Sequence, residues 1–386
     1  MGNRRRCRSV RADCWSHRKG FECIQTDSNV QVKLDELQSP DTFYFSAIVS
    51  CRRKKTQGIV YIQYADGSHY EGSVDRDERR HGKGVHTLKS GHRFEGEWVH
   101  GDFEGYGMQI FANSSGIHEG MYRKNHRHGM GTYLWANGDK YVGNWRVGKM
   151  HGSGTFFWSN GDRYDGEWRK GVIHGNGRKY FSSGEIIDGS WKYNQLSGWG
   201  IEVFSSGDKY EGYFVRGERE GFGRFKWTCG DSHEGTWHQG IMHGKGVFTS
   251  AGSSLHGTWV SGALNCQGVQ RFQCGSVYTG EFRSGERHGV GTMNFASGEV
   301  YDGEWCRGEI QGYGSWSSPD GRQFFGMWVN GLPSGRGMFC RDRIEDEEGG
   351  ESVAAARPPF EVGFFEKGEL VSSGESFYIG RPAVPS

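Results

Sequence analysis

Between Tyr141 and Ile186 the chain says one thing twice: YVGNWRVGKMHGSGTFFWSNGDR is followed by YDGEWRKGVIHGNGRKYFSSGEI. Carried outward, this register starts a unit at Tyr70, Phe94, His118, Tyr141, Tyr164 and Ile187, and again at Tyr210, His233, Leu255, Tyr278, Tyr301 and Phe324. Neighbouring starts lie 22 to 24 residues apart, most of them 23. A short fixed period constrains a fold more than composition does, because each unit is too small to bury a core alone and must stack on the next.

The positions shared by the units define their local structure. Gly always stands two residues after the start, and an aromatic stands two residues further on in eleven of the twelve units, Val74 being the exception. The spacing aromatic-x-Gly-x-aromatic has period two, so Tyr141, Gly143 and Trp145 share one face of a strand while Val142, Asn144 and Arg146 share the other. The same core recurs as Tyr164, Gly166 and Trp168, as Tyr210 and Gly212, and as Tyr301, Gly303 and Trp305. A recurrent Gly inside a strand weakens it unless something lies close over the bare backbone, and an aromatic ring is the available candidate.

Each unit then reverses. Gly148 or Gly171, followed by His-Gly-x-Gly at His151 to Gly154 and His174 to Gly177, supplies residues that tolerate positive φ. A second short strand, such as Thr155 to Trp158, ends at Asn160-Gly161, a hairpin-turn signal repeated at Asn137-Gly138, Ser183-Gly184 and Ser206-Gly207. The expected fold is therefore all-β: a single elongated antiparallel β-sheet solenoid built from tandem hairpins.

The pattern Tyr-x-Gly-x-Trp-x-x-Gly-x-x-His-Gly-x-Gly at this period resembles the MORN (membrane occupation and recognition nexus) repeat. The units at Leu255, with Asn265-Cys266-Gln267-Gly268 in place of His-Gly-x-Gly, and at Tyr70, with Val74, depart most from it. The resemblance implies a repeat array over 47–340, clear from 70 with a degenerate cap at 47–69. It is preceded by a basic, disordered leader at 1–46 and followed at 341–386 by an acidic loop, a degenerate final unit and a flexible tail.

Charge follows the same division. Residues 1–69 carry a formal +5, 70–340 carry +1 and 341–386 carry −5. A nearly neutral array is a poor surface for nonspecific nucleic-acid binding, so no nucleic-acid partner is expected. Two basic clusters, Arg76, Arg79, Arg80 and Lys83, then Arg123, Lys124 and Arg127, fall at hairpin reversals and read as solvated loops. The leader places seven basic residues against Asp13 within its first twenty positions, with no apolar run of secretory or spanning length. Its start, Met-Gly-Asn with Cys7, is similar to a lipidation signal, Gly2 taking myristate and Cys7 palmitate, with the arginines meeting anionic lipid. Arg6 stands where that motif has Ser or Thr, which favours a plain basic leader.

Metal and catalytic chemistry find little support. Nine cysteines without paired spacing read as free thiols in a reducing compartment. Equivalent histidines such as His128, His151 and His174 lie two strands apart, roughly 9.5 Å, while zinc takes its ligands at about 2 Å, so such a column cannot share one ion. No metal or cofactor is inferred. Phosphate loops, nucleophile elbows and helical zinc motifs are missing from the array. Enzymes that carry MORN repeats hold their catalysis in a separate large domain, for which the flanks leave no room, so the expectation is a non-enzymatic chain.

The resemblance then implies three roles. The first is a cytoplasmic scaffold or adaptor that docks protein partners along the sheet, associated with cytoskeleton or cilium. The second is a peripheral membrane tether or phosphoinositide-binding protein. The third is a regulatory subunit of a separate enzyme. An open sheet also has two unpaired edges. With Phe360, Phe364 and Phe365 in a weakly built last unit, a homodimer through the C-terminal end is the expected assembly.

Overall fold

The computed structural model describes residues 53–56, 58–340, 360–371, 379, 382 and 384. The leader, the acidic run at Glu345 to Glu351 and the lipidation candidates Gly2 and Cys7 lie outside them. Among the described residues twenty-eight strands form one antiparallel sheet, and each pairs with its neighbours in sequence, from Arg53–Thr56 on Ile59–Gln63 to Glu361–Glu366 on Glu369–Leu370. Among the described residues the helical content is one 3-10 turn, Ala112–Ser114. Up to Cys340 this meander pairing follows from loops too short to carry a strand anywhere but beside its predecessor.

The two turns of each unit differ in kind. After Trp145 the chain reverses through Val147 and Gly148, both at positive φ (50° and 73°), with Arg146 opposite Lys149. That two-residue geometry matches the twist of paired strands. The Asn137-Gly138 signal serves a longer loop instead: only Gly138 has positive φ, and Gly138 N and Trp135 N close it on Trp135 O and Asp139 O. The 24-residue units place their extra residue in loops, one near Asp75 to Arg79 and one at Ala112–Ser114. In the 22-residue unit the second loop contracts to Ala251-Gly252.

A bulge lies between the two turns. Met150 pairs with Trp145 and Gly154 with Gly143, so three residues of the return strand oppose Asn144 alone. Gly152 takes positive φ there (66°), which is why the first Gly of His-Gly-x-Gly recurs; the departing unit forces Cys266 into the same region (63°).

The buried face is an aromatic chain threaded through glycines. The Tyr141 ring crosses the paired Gly143 and Gly154, and its hydroxyl donates to Asn144 O at 3.0 Å. Trp168, one unit on, donates its Nε1–H to Gly154 O at 3.1 Å and meets Tyr141 edge-on at 5.5 Å and Tyr164 at 5.4 Å. In the units that begin with Tyr, the ring over each glycine pair thus stands two residues before the first glycine, and in the units at Phe94, Ile187 and Leu255 Phe103, Leu196 and Leu264 of the return strand take its place; the Trp ties the ring to the preceding unit. The indole bond recurs from Trp98 to Trp328; Trp259, in the shortened unit, has no such partner among the described residues. Each buried Trp or Tyr removes about 150–250 Å² from water, so a single sheet gains a core along its length.

Two expectations are corrected by this packing. Arg80 and Arg127 are not solvated loop residues: their guanidinium carbons sit 4.3 Å above the Trp98 ring and 4.5 Å above the Trp145 ring. Their Nη2 groups donate to Gly101 O and Gly148 O. Backbone carbonyls and ring faces give a half-buried cation the partners it would lose from water. The C-terminal unit is also better built than expected. Phe365 is buried against Phe324 and Phe339, Ile379 N donates to Gly368 O, and Ile379 and Val384 join the same cluster. Phe360 and Phe364 lie exposed on the opposite face.

Where His replaces the ring residues of the buried face, the fold becomes acid-sensitive. Burial pushes His86 and His118 down to about 3 and His233 to about 4, with Arg80 adding to the effect at His86 and Arg127 at His118. These rings are neutral in the fold, whereas in the unfolded chain they take a proton near their ordinary 6.5. Stability is therefore fully present above about pH 6.5 and is lost progressively as pH falls toward 4 to 3. Thermal midpoints followed by circular dichroism should fall over that window, and less so in His233→Tyr, which restores the ring usual at that position. An unchanged slope in His233→Tyr would assign the acid loss elsewhere.

Candidate docking surface

Every sequence-predicted core residue lies on the aromatic face. Tyr141, Trp145, Tyr164, Trp168, Tyr210, Tyr301 and Trp305 are buried, and Gly143, Gly166, Gly212 and Gly303 are the floor beneath the rings. They build the sheet and leave nothing free to react. The surface available to a partner is the other face.

On that face opposed glycines such as Gly154 and Gly166 floor a shallow track, because any substituent they carried would point to the aromatic face and only the residues flanking them project outward. Its walls come from the residue between the two glycines of the return strand and from the residue before the Trp on the neighbouring strand. Ser153 faces Glu167, Asn176 faces Ser190, and Trp199 faces Tyr213. Two grooves follow the track. One, ≈ 560 Å³, is polar at its rim, with Asn144, Ser153, Glu167 and Asn176. The other, ≈ 750 Å³, is lined by Phe222, Arg224, Glu234, Lys245 and Val247 among others.

The outward positions differ in character along the sheet. The structure sorts them into zones. Trp199, Tyr213 and Phe222 are 49%, 51% and 50% exposed, and Trp199 meets Tyr213 edge-on at 5.3 Å. Tyr313 opposes Met327, while Met338 opposes Val362, which is 77% exposed. Large apolar side chains exposed in groups are a mark of interaction surfaces. For Trp199, Phe222 and Tyr313 the signal lay in the variable residue of Gly-x-Gly, which a search for constant positions passes over.

The reversal residues also gain a role. His151 Nδ1 accepts the Lys170 amide of the next turn at 3.4 Å, and the same bond is made by Glu220 to Gln239, Asn265 to Ser284 and Gln311 to Asn330. On the other margin Asp139, Asp162 and Asp208 each accept the loop amide 20 residues on, at 2.7 to 2.9 Å. These carboxyls are held below the usual carboxylate range, Asp162 and Asp208 chiefly by the loop amides they accept. Both rims are thus laced unit to unit, which stiffens the surface between them. No helix among the described residues is long and apolar enough to cross a membrane.

A one-sheet array of hairpins with a buried aromatic face defines a β-repeat protein. The MORN repeat profile matches eleven units, ten of them at 70–93, 94–116, 118–140, 141–163, 164–186, 188–209, 210–232, 233–254, 278–300 and 301–321, the last at 324–342. The chain belongs to the MORN repeat family, whose repeats suggest a protein-interaction or membrane-associated role. The unit at Leu255 is the one passed over. Protein TIC 100 of Arabidopsis thaliana is 47% identical over 53 residues, which are 14% of this chain and 6% of that protein's length. Among solved structures, the TCP10 domain of Danio rerio CPAP in complex with a peptide of Danio rerio STIL is 9% identical, with 66% of this chain and 100% of that one covered at a TM-score of 0.22. The SAS-4 TCP domain of Drosophila melanogaster is 10% identical, with 56% and 93% covered at 0.19. Overlaps this loose add nothing to the fold described above.

Proposed function

We propose that the chain is a non-enzymatic, cytoplasmic scaffold that docks protein partners along the outer face of its sheet, in a cytoskeletal or ciliary setting. The observation that carries this reading is the zoned outer face: exposed aromatics at Trp199, Tyr213 and Phe222, a charged groove at Arg224, Glu234 and Lys245, and an apolar end at Tyr313 and Val362. Zones of different chemistry on one stiff sheet suit several partners held at fixed spacing. Aromatic side chains supply most of the binding energy at such surfaces.

The test separates this reading from a membrane tether. Trp199→Ser, Tyr213→Ser and Phe222→Ser together should displace the tagged full-length protein from its cellular structure with no fall in thermal midpoint. Deleting residues 1–46 should leave it in place. Release from a membrane on that deletion, with the triple variant still correctly located, would favour the tether and sink the scaffold.

A further inference from the structure

The geometry points to a divalent transition-metal site, of a kind that suits zinc, built by Asp75, His81 and His100 where the array begins. The three residues present one ligand atom each within 4.8 Å of one another. They come from three different turns of chain: the lengthened loop after Val74, the return strand Arg80–Thr87, and the two-residue reversal after Val99. This is not the column of equivalent histidines excluded above. It joins the reversal histidine of one unit to the turn residue of the next, a step of one strand.

Each donor is already oriented. Asp75 Oδ1 accepts the amides of Asp77 and Arg79 at 3.0 and 2.9 Å, which fixes the carboxylate and leaves Oδ2 facing His100 Nδ1 at 2.9 Å. The Asp75 side chain is only 11% exposed. The His81 and His100 rings lie 5.2 Å apart. At His151, Glu220, Asn265 and Gln311 the reversal residue accepts the following turn amide at 3.0 to 3.4 Å, and at His81 that contact is 3.5 Å, so its ring loses little by turning to a metal. Two ligands bound to one tetrahedral zinc at about 2.1 Å stand roughly 3.4 Å apart, so side-chain rotation closes this set without moving backbone. Two imidazoles and a carboxylate form a borderline N/O donor set, fit for zinc and its neighbours and poor for magnesium or calcium.

A cation already fills the cup. Arg79 places Nε 2.9 Å from Asp75 Oδ2, and Nη2 2.9 Å from Asp77 Oδ2 and 3.1 Å from His100 Nδ1. Its side chain is 44% exposed, so it can swing into water at small cost when a metal competes. No other unit repeats the set: Arg146 and Arg169 stand where Asp75 does, and Val147 and Lys170 where His100 does. A bound ion would clasp the first two complete units, where an array otherwise frays.

The test is a Co²⁺ titration of the reduced full-length protein, with cysteines alkylated beforehand because the chain has nine. The expected result is a visible band of nitrogen- and oxygen-ligated Co²⁺ that saturates at one equivalent, is displaced by Zn²⁺ and is accompanied by a higher thermal midpoint. His81→Asn and His100→Asn should each weaken binding by at least about tenfold. Both variants should fold, since Asn265 fills the equivalent of position 81 and accepts the same turn amide, and Asn tolerates the positive φ of 49° at position 100. Arg79→Gln should tighten binding, and His151→Asn should leave it unchanged. Loss of all binding on alkylation, or equal binding in wild type, His81→Asn and His100→Asn, would overturn the site.

Discussion

Gly166→Val is expected to destabilise the array by on the order of 3 kcal/mol, while Glu167→Val next to it stays within about 1 kcal/mol. A Cβ at Gly166 would stand 2.5 Å from the Tyr164 hydroxyl and 2.5 Å from Gly177 Cα, so neither the ring nor the paired strand has room to give. The ring cannot leave, because its hydroxyl is held on Glu167 O at 3.3 Å and its edges are packed between Trp168 and Trp191. Glu167 points to the opposite face, is exposed, and gives up a 3.3 Å contact with the Asn176 amide. Equilibrium urea unfolding followed by Trp fluorescence measures both. Equal losses would mean that the two faces of the strand have been exchanged.

Trp168→Ala should cost about 3–5 kcal/mol, the range for emptying a buried aromatic site. The distribution of the loss is the sharper expectation. Trp168 bonds Gly154 O in the preceding unit and packs on Tyr141 there and Tyr164 in its own. Hydrogen exchange should therefore accelerate in both hairpins, Lys140–Arg146 with Lys149–Phe157 and Arg163–Arg169 with Val172–Tyr180. Faster exchange in the second hairpin alone would show that units are stabilised singly, not by sharing their indoles.

Much of the sheet was legible because its causes are local. Tyr141, Gly143 and Trp145 alternate with period two, and Gly152 and Gly148 stand where positive φ is required; both are properties of a few consecutive residues. The Asn137-Gly138 signal announced a tight hairpin turn and the loop is longer, since a Gly at positive φ serves a two- or a three-residue loop alike. Arg80 and Arg127 were misread because a basic residue near a turn has no sequence mark to tell that an indole 18 residues on will lie beneath it. The C-terminal end was misjudged for the same reason: nothing in the sequence marks that Ile379 will bond Gly368 O and join Phe365 in the core.

What the sequence determined by itself was the unit, its alternation of faces and the order of pairing, because a 23-residue period with short loops allows each strand only its own neighbours. What tertiary structure decided was everything that depends on residues one unit apart: which ring covers which glycine, which indole ties which carbonyl, which outward side chains gather into zones, and how Asp75, His81 and His100 come together. Those relations are set by the bulge and by the pairing register, which bring positions some 20 residues apart to within a side chain's reach, and no stretch of sequence as short as the repeat records them.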